Sequence, residues 1–496
     1  MRRNVRGFMA LFALVGCQEP PDGQTSTTPG PSASSSDATL RSWTVDGEGL
    51  QPDFESDRVW YASAARESAE IVATPTDANA TVSLVLRTMD GLEIDRVGAS
   101  GELAMTGGHQ VVVEVTSADG TAYQEYVLTP LPSDFPELDV WSSDPGPGWY
   151  FLCNMDFSDL PPGEASYLMV IDSVGIPRWI RRAEGLNFDL RAAPGDRISW
   201  IEEDGENTRA QVLGDDGQVT EWRGVDGVTD AHEFTLLDNG NALLIVGRAS
   251  LQDLSIYGGP AQFAVLDQAV QEIDPSGQVV FEWSTAGNVD FDHLPAVWKD
   301  WSLPAVESAH LNSVEVDPYD GNWVVSLRIP SQVRKIDRMT GEVLWTLGGP
   351  GSDFSMAGDE RLHAWTGFAW QHSARITGPD RVLVYDNAAD PVHGSVGASR
   401  MVEYQLDWVD MEAQVTDAWE LADSGATAAA GSVQRLEDGH TLIGFGNLGF
   451  TTAGLAPDIV ELDADHNPVF ELRLPTGQWS YRAWKFDRDD TGWVIP

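Results

Sequence analysis

The chain has 496 residues, 42% of them hydrophobic and 22% charged, enough for two or three domains that each bury a core. Asp and Glu outnumber Lys and Arg by 77 to 30, for a formal net charge of −47. That balance excludes a nucleic-acid partner, because phosphate binding needs basic stripes, and reads as the solvated acidic surface of an exported protein.

Residues 1–17 read as an export signal. Arg2, Arg3 and Arg6 precede an apolar run, Phe8 to Gly16, that is too short to span a bilayer as a helix. The run ends in Leu14-Val15-Gly16-Cys17, which resembles the bacterial lipoprotein signal, where the cysteine becomes the lipidated first residue. The resemblance implies a membrane partner through a lipid on Cys17. With Gln18 after it, the expected place is the cell envelope, at the outer membrane. Residues 18–38 are rich in Pro, Ser, Thr and Gly, cannot bury a core, and read as a flexible tether. The only other cysteine is Cys153, so no disulfide is expected within the mature chain, and Cys153 reads as a small buried apolar residue.

Residues 39–132 alternate as short strands. Thr81–Arg87 and His109–Thr116 each alternate, Ser117-Ala118-Asp119-Gly120 is a turn, and Tyr123–Thr129 returns. An antiparallel β-sandwich is predicted. The pieces GEGLQPDF, WYASA, IVATPTDANATVSLVL and VEVTSADGTAYQEYVLT resemble the cadherin-like module of bacterial surface proteins.

Residues 133–496 repeat. One element is an apolar strand, an Asp-containing turn and a strand ending in Trp or Leu, as in VIDSVGIPRWI (170–180) and EIDPSGQVVFEW (272–283). The other is a Gly turn followed by an apolar strand, as in DNGNALLIV (238–246) and YDGNWVVSL (319–327). Six alternating copies predict an all-β, six-bladed β-propeller with a four-stranded meander per blade. Many of the 19 tryptophans are then expected between blades.

Nine histidines occur, and three of them precede strands of these repeats: His232 in DAHEF, His310 in SAHLNSV and His372 in AWQHSAR. Arg328 ends the strand that His310 introduces. If the strands that follow line the channel, the four residues converge there. Three imidazoles can hold zinc, but a guanidinium beside them opposes a divalent cation, and no HExxH, H-x-H or CxxC spacing is present. The run Asp463–Asn467 lacks the glycine and distal glutamate of a calcium loop, so no metal is expected. Nor is a nucleotide donor, since no phosphate-cradling glycine loop opens a βαβ unit. The set suits an anion: a neutral imidazole as nucleophile, with Arg and protonated His around a sulfuryl or phosphoryl group. The remaining histidines (109, 293, 363, 393, 440 and 466) read as surface, turn or insertion residues.

The segment HLNSVEVDPYDGNWVVSLRIPSQVRKIDRMTGEVLWTLGGPGSDF (310–354) resembles the central part of the bacterial arylsulfate sulfotransferase family. Residues 230–246 and 368–388 are similar to its flanking histidine segments. The resemblance implies a six-bladed propeller that moves a sulfuryl group from an aryl sulfate donor to a phenolic acceptor, without cofactor or nucleotide, through a sulfated histidine. It puts the nucleophile on His372, and sulfate binding and acid–base work on His232, His310 and Arg328. The chain departs from the family in having no cysteine pair and in its N-terminal sandwich. The insertions 251–309 and 386–400 are expected to shape the channel mouth. The alternatives from the residues alone are a propeller that binds a ligand or protein partner without turnover, or transfer or hydrolysis of another ester.

Overall fold

The computed structural model describes residues 35–486, apart from 48–49, 90, 156–164, 184, 357, 360, 362–366, 391–393, 396, 423 and 448–455. The proposed signal with Cys17, most of the tether, His363 and His393 lie outside the described residues. Among the described residues every element is a strand or a short 3-10 turn, with no α-helix.

Strands between Leu40 and Leu131 form two facing sheets, one of three strands and one of five. Alternation builds their shared core: Trp43, Tyr61, Ile71, Leu84, Val113 and Leu128 are fully or almost fully buried between the sheets. Pairing is antiparallel except for the edge strand Trp60–Ala64, which runs parallel to Tyr123–Leu131. The outer face of the larger sheet carries Val85, Val112 and Val127 beside Trp60. Trp60 lies under the guanidinium of Arg178 at 4.3 Å, and Gln110 and Thr129 donate to the carbonyls of Arg178 and Pro177. The sandwich therefore packs on the outermost strand of the first propeller blade, Pro177–Arg182.

Six sheets follow, numbered here as blades 1 to 6, each built on a four-stranded antiparallel meander; blade 3 gains the parallel strand Ala305–Glu307 and blade 6 a fifth strand from Asp139–Ser142. The innermost strands are Trp484–Phe486, Leu186–Ala193, Val228–Leu236, Leu311–Val316, His372–Gly378 and Ser432–Arg435, and each touches the next in a closed ring. The two ends of this region stitch the ring shut. Asp139–Ser142 adds a strand to the outer edge of blade 6, and Trp484–Phe486 supplies the inner strand of blade 1. The tryptophans behave as expected: Trp179, Trp200, Trp323 and Trp345 are buried in the packing.

The strands that follow the Gly turns, expected to line the channel, are the second strands of their blades. Ala242–Gln252 pairs with Val228–Leu236, and Trp323–Leu327 with Leu311–Val316. The reason is local: the turn at Asn239-Gly240 joins an inner strand to its outward neighbour, so the channel-lining strand is the one before the turn. Four inner strands carry a register shift, at Phe188/Arg191, Thr229/Phe234, Leu311/Ser313 and His372/Arg375. Such bulges re-aim side chains, here into the channel.

Candidate functional site

The register shifts bring the four predicted residues together. His232 sits inside the bulge of blade 3, His310 immediately before the inner strand of blade 4, and His372 at the start of that of blade 5. His310 holds φ at 55°, a left-handed conformation that turns its ring back over the channel. Arg328 follows the second strand of blade 4, and its amide donates to the His310 carbonyl at 3.0 Å. All four line one cavity of about 480 Å³, whose wall also includes Phe188, Val228, Trp479 and Tyr481. None of His109, His293, His440 or His466 lines it.

His372 is 1% exposed, and its protonation pattern is set by its partners. Its Nδ1 lies 2.7 Å from Asn387 Oδ1 and 3.2 Å from the Trp370 carbonyl, both acceptors. The Asn387 amide cannot be turned round, because its nitrogen donates to Thr427 Oγ1 and the Ala430 carbonyl at 2.8 and 2.9 Å. Nδ1 must therefore carry the hydrogen, and Nε2 a lone pair, which accepts the Ala430 N–H at 3.2 Å. Burial, then the nearby Arg328 charge, hold this ring well below the usual histidine range, so it is neutral at pH 7.

The other two imidazoles each have a carboxylate behind them. His232 Nδ1 lies 2.5 Å from Asp230, whose second oxygen accepts from Gln268. His310 Nδ1 lies 3.0 and 3.1 Å from the two oxygens of Glu307. The rings meet edge to face with centroids 4.7 Å apart. Burial presses both down. At His232 the charge and hydrogen bond of Asp230 outweigh burial and the ring is raised; at His310 burial wins over Glu307 and the ring is lowered. The two touching rings are thus shifted in opposite directions.

Arg328 is 9% exposed and lies 4.0 Å over the ring of Trp370. Burial lowers it to about 10, which leaves it charged at pH 7. One nitrogen donates to the Ala428 carbonyl at 2.9 Å, Nε has no partner, and no carboxylate among the described residues forms an ion pair with it. The hydroxyl of Tyr481 is likewise buried without a partner, and burial raises it, so it stays protonated. The lining thus combines a buried imidazole lone pair, two imidazoles backed by carboxylates, a cation outside any ion pair and aromatic walls.

Farther along the same inner strands the channel is plugged. Arg482 pairs with Asp189 and Glu233 at 3.0 and 2.8 Å, and Arg375 and Arg191 each reach Glu233 at 3.0 Å. Among the described residues one group has metal-like spacing, Asp438, His440 and Glu461. The Lys485 ammonium lies 2.7 Å from Glu461 and the Tyr150 hydroxyl donates to it, so that carboxylate is already neutralised.

Five site residues were missed in the sequence: Asp230, Glu307, Asn387, Trp370 and Tyr481. Asp230 was legible, since a D-x-H on a strand puts both side chains on one face. Glu307 precedes His310 through a turn with no local signature. Asn387 follows the strand paired with that of His372, and Tyr481 comes from a distant part of the chain. Cys153 is buried as expected, with its thiol against the Asn187 carbonyl at 2.9 Å.

Among solved structures, the chain is similar to a Bacteroides caccae protein of unknown function at 14% identity, covering 69% of this chain and 99% of that one, with a TM-score of 0.43. It is also similar to a catalytically inactive virginiamycin B lyase from Staphylococcus aureus at 10% identity, covering 68% and 88%, with a TM-score of 0.35. No curated protein matches the chain. The family model for arylsulfotransferase (ASST) matches residues 197–474, a span that holds His232, His310, Arg328, His372 and Asn387. The chain belongs to the arylsulfotransferase family.

Proposed function

We propose that this protein transfers a sulfuryl group from an aryl sulfate to a phenol in two steps through His372. The observation that carries the reading is the neutral, buried His372 with its Nε2 lone pair on the wall of a cavity that also holds Arg328. In the first step Nε2 attacks sulfur and the bond from sulfur to the aryl oxygen breaks. That oxygen leaves with the electron pair and takes the proton of His232. In the second step the acceptor phenol returns a proton to His232, its oxygen attacks sulfur, and the N–S bond breaks back to Nε2. Arg328 meets the sulfuryl oxygens, because no carboxylate pairs with it. His310, kept uncharged against His232, leaves His232 as the proton carrier.

The test is nitrophenolate release from 4-nitrophenyl sulfate with and without added phenol. Release should require the acceptor for repeated turnover, and His372→Ala should lower it by at least about 10³-fold. A wild-type rate in His372→Ala would sink the mechanism. The same reading includes export and a lipid on Cys17. Labelled palmitate should be incorporated into the wild-type chain and not into Cys17→Ser, and equal labelling of both would refute the anchor.

A further inference from the structure

Blade 3 differs from the others in its second and third strands. Ala242–Gln252 and Phe263–Ile273 have eleven residues each, against five in each of the corresponding strands of blade 4. The extra length rises past the cavity, and three anchors fix which face looks at the site. Gly247 lines the cavity and pairs with Val228, which lines it too. Gln268, opposite Gly247, sends its amide to Asp230. Glu307, on the short strand Ala305–Glu307, pairs with Leu266 and reaches His310.

Side chains alternate along a strand, and directly paired residues share a face. The face that carries Gly247 and Gln268 therefore continues as Ala249 opposite Leu266, then Leu251 opposite Ala264. Apart from Glu307, which pairs with Leu266 and is turned back to His310, every residue of that continuation is apolar. Leu251 is 72% exposed, Leu266 45% and Val228, at its foot, 44%. On the opposite face Val265 is fully buried against Leu254, Phe291 and Val306 of the insertion. The insertion thus covers one side of the hairpin and leaves an uncovered apolar stripe on the side that rises from the reaction cavity. Isolated exposed leucines are ordinary, but these are in register with one another and continuous with the cavity wall.

We propose that this stripe is an extended subsite for the apolar part of the phenol beyond its reacting ring, so that the protein prefers hydrophobic phenols carrying a long alkyl group. The occupant follows from continuity. A ring and a sulfuryl group fit the cavity, and an apolar substituent that continues out of it meets Val228, then Ala249, Leu266 and Leu251. The proposal rests on the transfer reading above, and it names the substrate class for the same site.

The experiment compares phenol with 4-hexylphenol as acceptors from 4-nitrophenyl sulfate, and measures calorimetric binding of both phenols to His372→Ala protein. Wild type should favour 4-hexylphenol in kcat/KM by about tenfold or more, since each methylene removed from water adds severalfold. The double substitution Leu251→Ser with Leu266→Ser should erase that preference and leave kcat/KM for phenol unchanged. Equal kcat/KM for the two acceptors in wild type, or a preference that survives the double substitution, overturns the subsite. The binding arm separates the two readings. If neither phenol accepts a sulfuryl group but 4-hexylphenol still binds tighter, and that advantage vanishes in the double variant, the transfer reading fails and the subsite stands. If both bind alike, the subsite fails whatever the turnover.

Discussion

The mouth and the floor of the channel are built from the same kinds of residue and do different things. On the floor, Arg482, Arg375 and Arg191 are each met by Asp189 or Glu233, and Arg482 and its carboxylates are almost wholly enclosed. Each guanidinium there has a carboxylate within the fold, so the cluster ties blades 1, 2, 3 and 5 together. At the mouth, Arg328 has an aromatic face and a carbonyl but no ion pair, and of the three imidazoles His232 is raised while His310 and His372 are lowered. A buried charge without a counter-charge is costly, and such residual cost marks where a ligand completes the structure. Matching of charge, more than the presence of charge, separates structure from chemistry along this channel.

Substitutions at the two levels should therefore fail in opposite ways. Arg482→Met takes from buried Asp189 its close cation and from Glu233 one of three, and should cost about 3–5 kcal/mol, read as a fall in denaturant midpoint. Arg328→Met should lower turnover by about 10²–10³-fold, the loss typical of one transition-state contact, with an unchanged or raised midpoint. If Arg328→Met unfolds the protein, or Arg482→Met leaves its stability intact, the contrast is wrong. Asn387→Ala frees the His372 tautomer and should lower kcat by about 10–100-fold, as for other partners that orient an imidazole. The smallest effect is on pH. His372 is lowered, so the acid limb of the rate profile should lie below the ordinary histidine value of about 6.5. His232 is raised, so the limb on which its proton is lost should lie above it. Asp230→Asn removes the charge that raises His232 and should move that upper limb down by about one unit, with the acid limb in place. An unmoved upper limb would take the proton role from His232.

Local order was legible in the sequence. Alternating strands and Asn-Gly turns are short-range patterns, so the blade count and the sandwich could be read from them. The four channel residues were found because they open or close those patterns. What escaped depends on which strands pair and in what register. Trp484–Phe486 becomes the inner strand of blade 1 only by reaching back to Trp149–Cys153, and it brings Tyr481 to the site. Asn387 meets His372 because their strands pair, His372 opposite Tyr385, and nothing in the residues around Asn387 announces that role. The long hairpin of blade 3 was visible only as an insertion, and its uncovered face follows from register alone.

The central claim is that the His372 Nε2 takes the sulfuryl group. Incubating the protein with an aryl sulfate and no acceptor, then quenching at alkaline pH and mapping peptides by mass, tests it directly. The account predicts a gain of one SO3 on the peptide that contains His372, lost on adding phenol and missing in His372→Ala. Transfer to phenol at the full rate with no modified peptide, or with the SO3 group on another residue, would contradict it.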